Sequence, residues 1–322
     1  MKILFDIEKL PKEFVFRLYS FVRGDVQEEF KKHDIFFTTE KKEADVVLLT
    51  QKDDLKAVDL PIMLFIAGDG TQIHGDVKSF KNKNIKLILK QELLKDFNDY
   101  NIMSGRNYLK YVDSTYMNNK PEQIDYNFYS KMYLFFGYGI LQRMTVFINE
   151  IPDFEKKRNI DVNFCGLIDY KSSAYKDTVL LTKHRTDAFN ILKEHKNSFV
   201  SNIRIPFLDY RKKLYDSKIV VSPWGFGETC YRDYEALYAG NILIKPRSDF
   251  VINHPDIFNN KKYFLLFCEP NWSDLDIKIE EALFLWDKTI EKRINNRNLL
   301  LNEFKKETIV ENFNNIIRNI WK

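Results

Sequence analysis

Short apolar runs alternate with amphipathic stretches along the first half of the chain. The runs are Lys2 to Phe5, Ile35 to Phe37, Ala44 to Leu49, Ile62 to Ile66 and Ile85 to Leu89, and Glu13 to Lys32 lies between the first two with helical spacing. Runs this short, separated by polar helical patterns, predict parallel strands joined by crossovers. The expected product is a twisted sheet covered by helices on both faces. From Asp96 to Lys131 the pattern gives way to sequence rich in Asn, Tyr and Asp, which predicts irregular structure closing a first domain.

Thr145 to Asn159, with Pro152 and the charged run Glu155 to Arg158, reads as a linker, after which a second series starts. It predicts a strand at Ile160 to Cys165, a helix at Arg185 to Lys196, a strand at Phe199 to Ile203, a helix at Tyr210 to Tyr215 and a strand at Ile219 to Ser222. A Gly-rich turn follows, then a helix from about Glu228 to Ala239, a strand at Ile242 to Lys245 and an apolar run at Tyr263 to Cys268. Two amphipathic helices finish the chain, Leu275 to Trp286 and Ile290 to Trp321 with a break near Glu307. Their apolar positions, Leu299, Leu300, Phe304, Ile309, Phe313, Ile316, Ile317 and Ile320, are spaced for packing on a core. The class is α/β, with two sheets and a cleft between them.

Composition narrows the function classes. With 322 residues, 44% hydrophobic and 15% aromatic, the chain can build two cored domains and is not disordered. Fifty basic side chains against 46 acidic ones leave +4, scattered along the chain, so nucleic acid is not an expected partner. The pI of 8.6 leaves room for weak attraction to anionic lipid or a phosphorylated ligand. Cys165, Cys230 and Cys268 are odd in number and lack metal-type spacing, which fits a reducing compartment. Asp6 and Glu8 interrupt the apolar N-terminal run before a signal-peptide core forms, and no stretch approaches the roughly 18 apolar residues of a span. A cytoplasmic protein with at most peripheral membrane contact is expected.

The chemistry concentrates in SPWGFGETCYRDYEALYAGNILIKP, Ser222 to Pro246. It follows the β-branched run Ile219, Val220, Val221, so Gly225 and Gly227 fall at the carboxyl end of a strand, where open α/β sheets bind ligands. Glycine lets backbone approach a phosphate, and the next helix offers unpaired N–H groups and a positive dipole end. In a helix starting at Glu228, the spacing of Glu228, Arg232 and Glu235 puts all three on one face. Such a trio is ordinarily a surface salt-bridge ladder. Beside Pro223 and the glycines it also fits a diphosphate neutralised by the Arg and ribose hydroxyls held by a carboxylate.

The segment Ser222 to Gly240 resembles the donor-site motif of GT-B glycosyltransferases, closest to the exostosin-like and family-4-like branches. In those families a Gly-rich turn leads to a helix whose Glu binds the ribose, followed by Ala and by a Gly before a short strand; Glu235, Ala236, Gly240 and Ile242 to Ile244 match. The family-4 acids are eight apart and these are seven apart, whereas Arg232 three residues before Glu235 matches the exostosin-like form. Asp161 to Gly166 resembles the strand and glycine that open the C-terminal domain, and Lys183-His184-Arg185 the basic start of its first helix, with Arg185 a phosphate contact or a plain helix-surface Arg.

The resemblance implies a GT-B fold of two Rossmann-like domains facing across a cleft. These are an acceptor-side domain over 1–150, a nucleotide-sugar-binding domain over 151–290 and a C-terminal helix over 291–322 that packs back across them. It implies donor contacts from Arg185, Pro223, Gly225, Phe226, Gly227, Glu228, Thr229, Arg232 and Glu235. On the acceptor side Phe65 to Ile73 runs into a Gly-Asp-Gly turn, where Asp69 is either a base or a turn residue; His74 and Lys90 are further acceptor-side candidates. Asp69, Arg232 and Glu228 are the catalytic candidates. The implied activity is transfer of a hexose, deoxyhexose or pentose from a nucleoside diphosphate sugar, UDP- or GDP-linked, to a hydroxyl acceptor in glycan assembly, with no metal and no other cofactor. A non-catalytic nucleotide- or glycan-binding protein of the same fold is the alternative. A dinucleotide-binding dehydrogenase is disfavoured, since Asp6 to Leu10 after the first strand contains no glycine.

Overall fold

Two parallel sheets follow one another along the chain in a computed structural model that describes residues 1–5, 24–50, 55, 58–66, 82–102, 107–113, 115, 126–136, 138–170 and 177–321. The first contains β1 (Lys2–Leu4), β2 (Phe36–Thr38), β3 (Val46–Thr50), β4 (Ile62–Ile66) and β5 (Ile85–Lys90). After the short β6 (Glu92–Leu94), β7 (Met132–Leu134) completes it in the order β2-β1-β3-β4-β5-β7. Every pairing is parallel. All five residues of β4 are buried, as a central strand covered on both faces requires.

The second sheet contains β8 (Ile160–Cys165), β9 (Ser198–Ser201), β10 (Ser217–Val221) and β11 (Ile242–Pro246). After β12 (Val251–Asn253) comes its last strand, β13 (Leu266–Cys268), and the order β13-β11-β10-β8-β9 is again wholly parallel. The connection from β8 goes to β9 on one side, and the chain then returns to β10 on the other. The order therefore reverses between β8 and β10, the switch point outside which such sheets bind ligands. β12 leaves this sheet and pairs antiparallel with β6, with Asn253 opposite Glu92, joining the two halves by main-chain hydrogen bonds.

The helices cover these sheets. They are α1 (Gly24–Lys31), α2 (Phe97–Ile102), α3 (Tyr126–Tyr129), α4 (Tyr138–Phe147), α5 (Asp177–Leu192), α6 (Phe207–Tyr215), α7 (Tyr231–Tyr238), α8 (Leu275–Leu285), α9 (Ile290–Glu303) and α10 (Lys306–Ile320). The last returns to the first sheet, where the Phe313 ring lies 5.3 Å from Phe30 and 5.6 Å from Phe135, edge to face. Such pairs add about 0.5–1.5 kcal/mol beyond their burial. The break between α9 and α10 falls at Phe304 and Lys305, close to the expected position.

Gly240 ends α7 in a left-handed conformation, φ +73°, which an L side chain adopts only at a cost. The N–H of Gly240 donates to Leu237 C=O at 3.3 Å, and that of Asn241 to Ala236 C=O at 3.0 Å, the two bonds of a Schellman cap.

Four sequence expectations change. The segment read as irregular before Lys131 contains α2 and α3, and beyond it lie β7 and α4, whose last three residues occupy the start of the expected linker. Three-residue strands such as β6, β7 and β12 are too short for periodicity to register. The helix expected from Arg185 begins at Asp177, so Arg185 sits in its interior rather than at its start. The helix expected from Glu228 begins at Tyr231, because Cys230 takes an extended conformation as N-cap and its N–H is held by Asp233 Oδ2 at 2.8 Å. Glu228 is therefore a loop residue and shares no helix face with Arg232 and Glu235.

Candidate functional site

The carboxyl ends of β8 and β10 carry Gly166 and the loop 222–230, and two guanidinium groups converge over the glycine. An ideal Cβ on Gly166 would lie 2.5 Å from Arg232 Nη2 and 3.0 Å from Arg185 Nη2, so only a residue without a side chain admits both. Arg185 comes from α5 and is 4% exposed, which removes the helix-surface alternative. Its Nε donates to Leu167 C=O at 2.6 Å and its Nη1 to Trp224 C=O at 2.9 Å, while the plane lies over the rings of Phe164 and Tyr170. Arg232, in the first turn of α7, donates through Nη2 to Cys165 C=O and also lies against the Phe164 ring. Among the described residues its Nε and Nη1, both buried, have no acceptor. Buried donors without partners are costly, so a cation in this state is poised for an anion.

The loop is held from several directions. Trp224 is fully buried; its indole N–H donates to Ser248 Oγ at 3.0 Å, and its ring stacks on His184, which in turn stacks on Trp272. Burial, and then the neighbouring Arg185, push the His184 pKa well below the ordinary imidazole value, so the sandwiched ring is neutral. Gly225 N–H donates to Gly227 C=O at 3.1 Å, and a Cβ built on Gly225 meets nothing within 4 Å. Pro223 is buried beneath the turn, and Phe226 is 40% exposed with its edge on Tyr170 at 4.8 Å.

Beneath α7 lies a fully buried ion pair that sequence reasoning did not single out. Lys245 Nζ on β11 is 2.8 Å from Asp233 Oδ2, and neither side chain is exposed. The same carboxylate holds the Cys230 amide, so one group fixes both the helix start and the lysine. Removing one partner of such a pair costs roughly 3–5 kcal/mol.

Glu235 lies one turn beyond Arg232 on α7, and both of its carboxylate oxygens are engaged. Its Oε1 accepts from Arg143 Nε and its Oε2 from the Tyr210 hydroxyl at 2.6 Å, and it is 2% exposed. The partners come from α4 and α6, 92 and 25 residues earlier in the sequence.

From the other half of the molecule, Glu92 reaches the end of the loop. Its Oε2 accepts the Thr229 N–H at 3.2 Å, and Asn253 Nδ2 donates to Thr229 Oγ1 at 3.3 Å. Glu92 is fully buried with Glu228, Lys90 and Lys245 as charged neighbours; burial first, then Glu228, raise its pKa well above the carboxylate range. Lys90, at the end of β5, is 1% exposed and belongs to this cluster rather than to solvent. The one sequence signal for Glu92 is a carboxylate set between the apolar runs of β5 and β6. Asp69 and His74 lie outside the described residues.

Among the described residues no helix is long and apolar enough to cross a membrane. Structural similarity extends over nearly the whole chain at low identity. To TarM it is 10% identical with a TM-score of 0.44, covering 94% of this chain and 58% of TarM, so the chain spans little more than half the length of that protein. To a UDP-forming trehalose-phosphate synthase from Burkholderia xenovorans it is 10% identical with a TM-score of 0.47, covering 98% and 81% of the two chains. To Anabaena HepE, solved in complex with UDP-glucose, it is 12% identical with a TM-score of 0.43, covering 99% of each. No curated protein sequence matches the chain. The RXYLT1 C-terminal domain model matches residues 142–321, more than half of the chain and all of the second sheet with its loop and arginine pair. On that match the chain belongs to the RXYLT1 C-terminal domain family.

Proposed function

We propose that the chain transfers a sugar from a nucleoside diphosphate sugar to a hydroxyl acceptor, most simply a glycan, with the donor diphosphate over Gly166. The observation that carries this reading is the convergence of Arg185 and Arg232 on one glycine at the switch point, with two Arg232 donors unpartnered among the described residues. As the bond to the anomeric carbon breaks, its electron pair stays with the leaving diphosphate, and the arginines stabilise the charge that develops there. Cationic side chains supply this stabilisation in place of a metal. Gly225 leaves room for backbone to approach the phosphates. Glu228 stands near the sugar, and Glu235 takes the ribose through lone pairs left by Arg143 and Tyr210, since a carboxylate offers about four acceptor sites. Asp69, His74 and Lys90 are assigned to the acceptor side.

A thermal-shift screen with UDP, GDP, CMP, dTDP and their sugars, with and without EDTA, tests the reading. One nucleoside diphosphate is expected to raise the melting temperature of the wild type regardless of EDTA, by the equivalent of about 2.7 kcal/mol at a hundredfold excess over Kd. Arg232→Ala should lose that shift and the transfer of sugar from the matching donor. An unshifted wild type, or an Arg232→Ala protein that responds as the wild type does, would sink the proposal; binding without turnover would leave a nucleotide-binding protein.

A further inference from the structure

One fully buried carboxyl group near the loop belongs to the opposite half of the molecule, and nothing in the transfer chemistry just outlined uses it. Glu92 sits on β6, the strand that pairs with β12 across the boundary between the two sheets. Its neighbours in the same two-stranded ribbon are tied as well: Lys95 N–H donates to Phe250 C=O and His254 N–H to Gln91 C=O. The ribbon is thus a rigid mount for its side chain. From it the Oε2 atom accepts the amide hydrogen of Thr229, the residue immediately after Glu228. The Oε1 atom is buried and has no partner among the described residues.

We propose that Glu92 is a positioning residue of the donor site: it holds the Thr229 amide from across the boundary and so sets where the Glu228 carboxylate stands. The proposal builds on the donor site assigned above.

The charges around Glu92 say in which form it does this. Glu228 faces it from the loop, Lys90 from β5 and Lys245 from β11, and the buried Tyr234 hydroxyl of α7 is a further neighbour. Two carboxylates in a dry site cannot both ionise cheaply, and Lys245 is already committed to Asp233. Burial and the neighbouring Glu228 therefore favour the protonated form of Glu92 over the ionised one. With Oε2 accepting from Thr229, the proton of that form rests on Oε1. A raised folded-state pKa means that the protonated arrangement is present at low pH and is lost as pH rises through that value. Ionised Glu92 would place a buried charge beside Glu228 and push the loop out of register.

Glutamine has the shape of the protonated acid and keeps an oxygen for the Thr229 amide, so Glu92→Gln and Glu92→Ala separate the possibilities. Hydrogen–deuterium exchange of the peptide containing 223–229 is measured for wild type and both variants, together with nucleoside diphosphate affinity between pH 6 and 10. Wild type and Glu92→Gln should protect the loop equally at pH 7, and Glu92→Ala should exchange at least tenfold faster there while distant peptides stay unchanged. Wild-type affinity should weaken at alkaline pH, and the Gln variant should not follow it. Equal protection in all three proteins, or the same alkaline loss in the Gln variant, would overturn the proposal. So would a Gln variant as unprotected as the Ala variant, since the protonated form would then not be the working one. If no protein binds nucleotide, the donor-site reading fails by itself and the exchange comparison still decides whether Glu92 positions the loop.

Discussion

Replacing Gly166 by alanine tests the arginine pair with one methyl group. The added Cβ would lie 2.5 Å from Arg232 Nη2 and 3.0 Å from Arg185 Nη2, whereas ordinary contact begins at 3.4 Å. Arg232 must therefore retreat by about 1 Å and Arg185 by less, given the steepness of repulsion at such distances. Both atoms are the far ends of flexible side chains, so the fold yields cheaply. The loss is the Arg232 bond to Cys165 C=O, which sets the stability cost at roughly 1–2 kcal/mol. The consequence for an anion is larger. A charge-assisted bond to phosphate is worth about 1.5–3 kcal/mol, and losing the alignment of one or both arginines should weaken nucleoside diphosphate binding by about 10- to 100-fold. Isothermal titration calorimetry on the folded variant reads the affinity, and urea unfolding reads the stability. A Gly166→Ala protein that binds within about twofold of wild type would refute the placement of the diphosphate over this glycine. A loss of several kcal/mol in stability would refute the view that the arginine ends simply give way.

Two further outcomes follow from other parts of the molecule. Gly240→Ala combines a left-handed backbone, φ +73°, with a Cβ only 2.3 Å from the Phe154 ring, and should destabilise by roughly 2–5 kcal/mol; a urea midpoint close to wild type would contradict the cap described here. Burial holds the His254 pKa down at about 4, so the folded protein keeps this ring neutral while the unfolded chain protonates it below the ordinary imidazole value of about 6.5. Its contribution is complete above pH 6.5 and is lost as pH falls towards 4, by up to about 3 kcal/mol. The comparison is wild type against His254→Asn in urea at pH 7 and pH 4.5: the variant should lose less stability on acidification, and parallel losses would count against the assignment.

The strand runs and the Gly-rich turn were legible because each is a local rule. Period and length separate strands from helices over 62–66, 85–90 and 160–165. The parallel α/β class followed from the alternation alone. Arg232 and Arg185 could be picked out by type, but neither their burial nor their meeting at Gly166 is written in the spacing. Glu228 illustrates the opposite error: helical spacing put it on a face with Arg232 and Glu235, and the extended Cys230 with Asp233 beneath it moved the helix start past it. Glu235 kept its expected helix, yet its partners Arg143 and Tyr210 come from α4 and α6. Glu92 needed the pairing of β6 with β12, two three-residue strands on either side of the chain's midpoint. Periodicity records which face of an element is buried, because burial is paid residue by residue. Which distant groups share that burial depends on how the elements close against one another, and only the tertiary structure decided that for Glu92, Glu228 and the arginine pair.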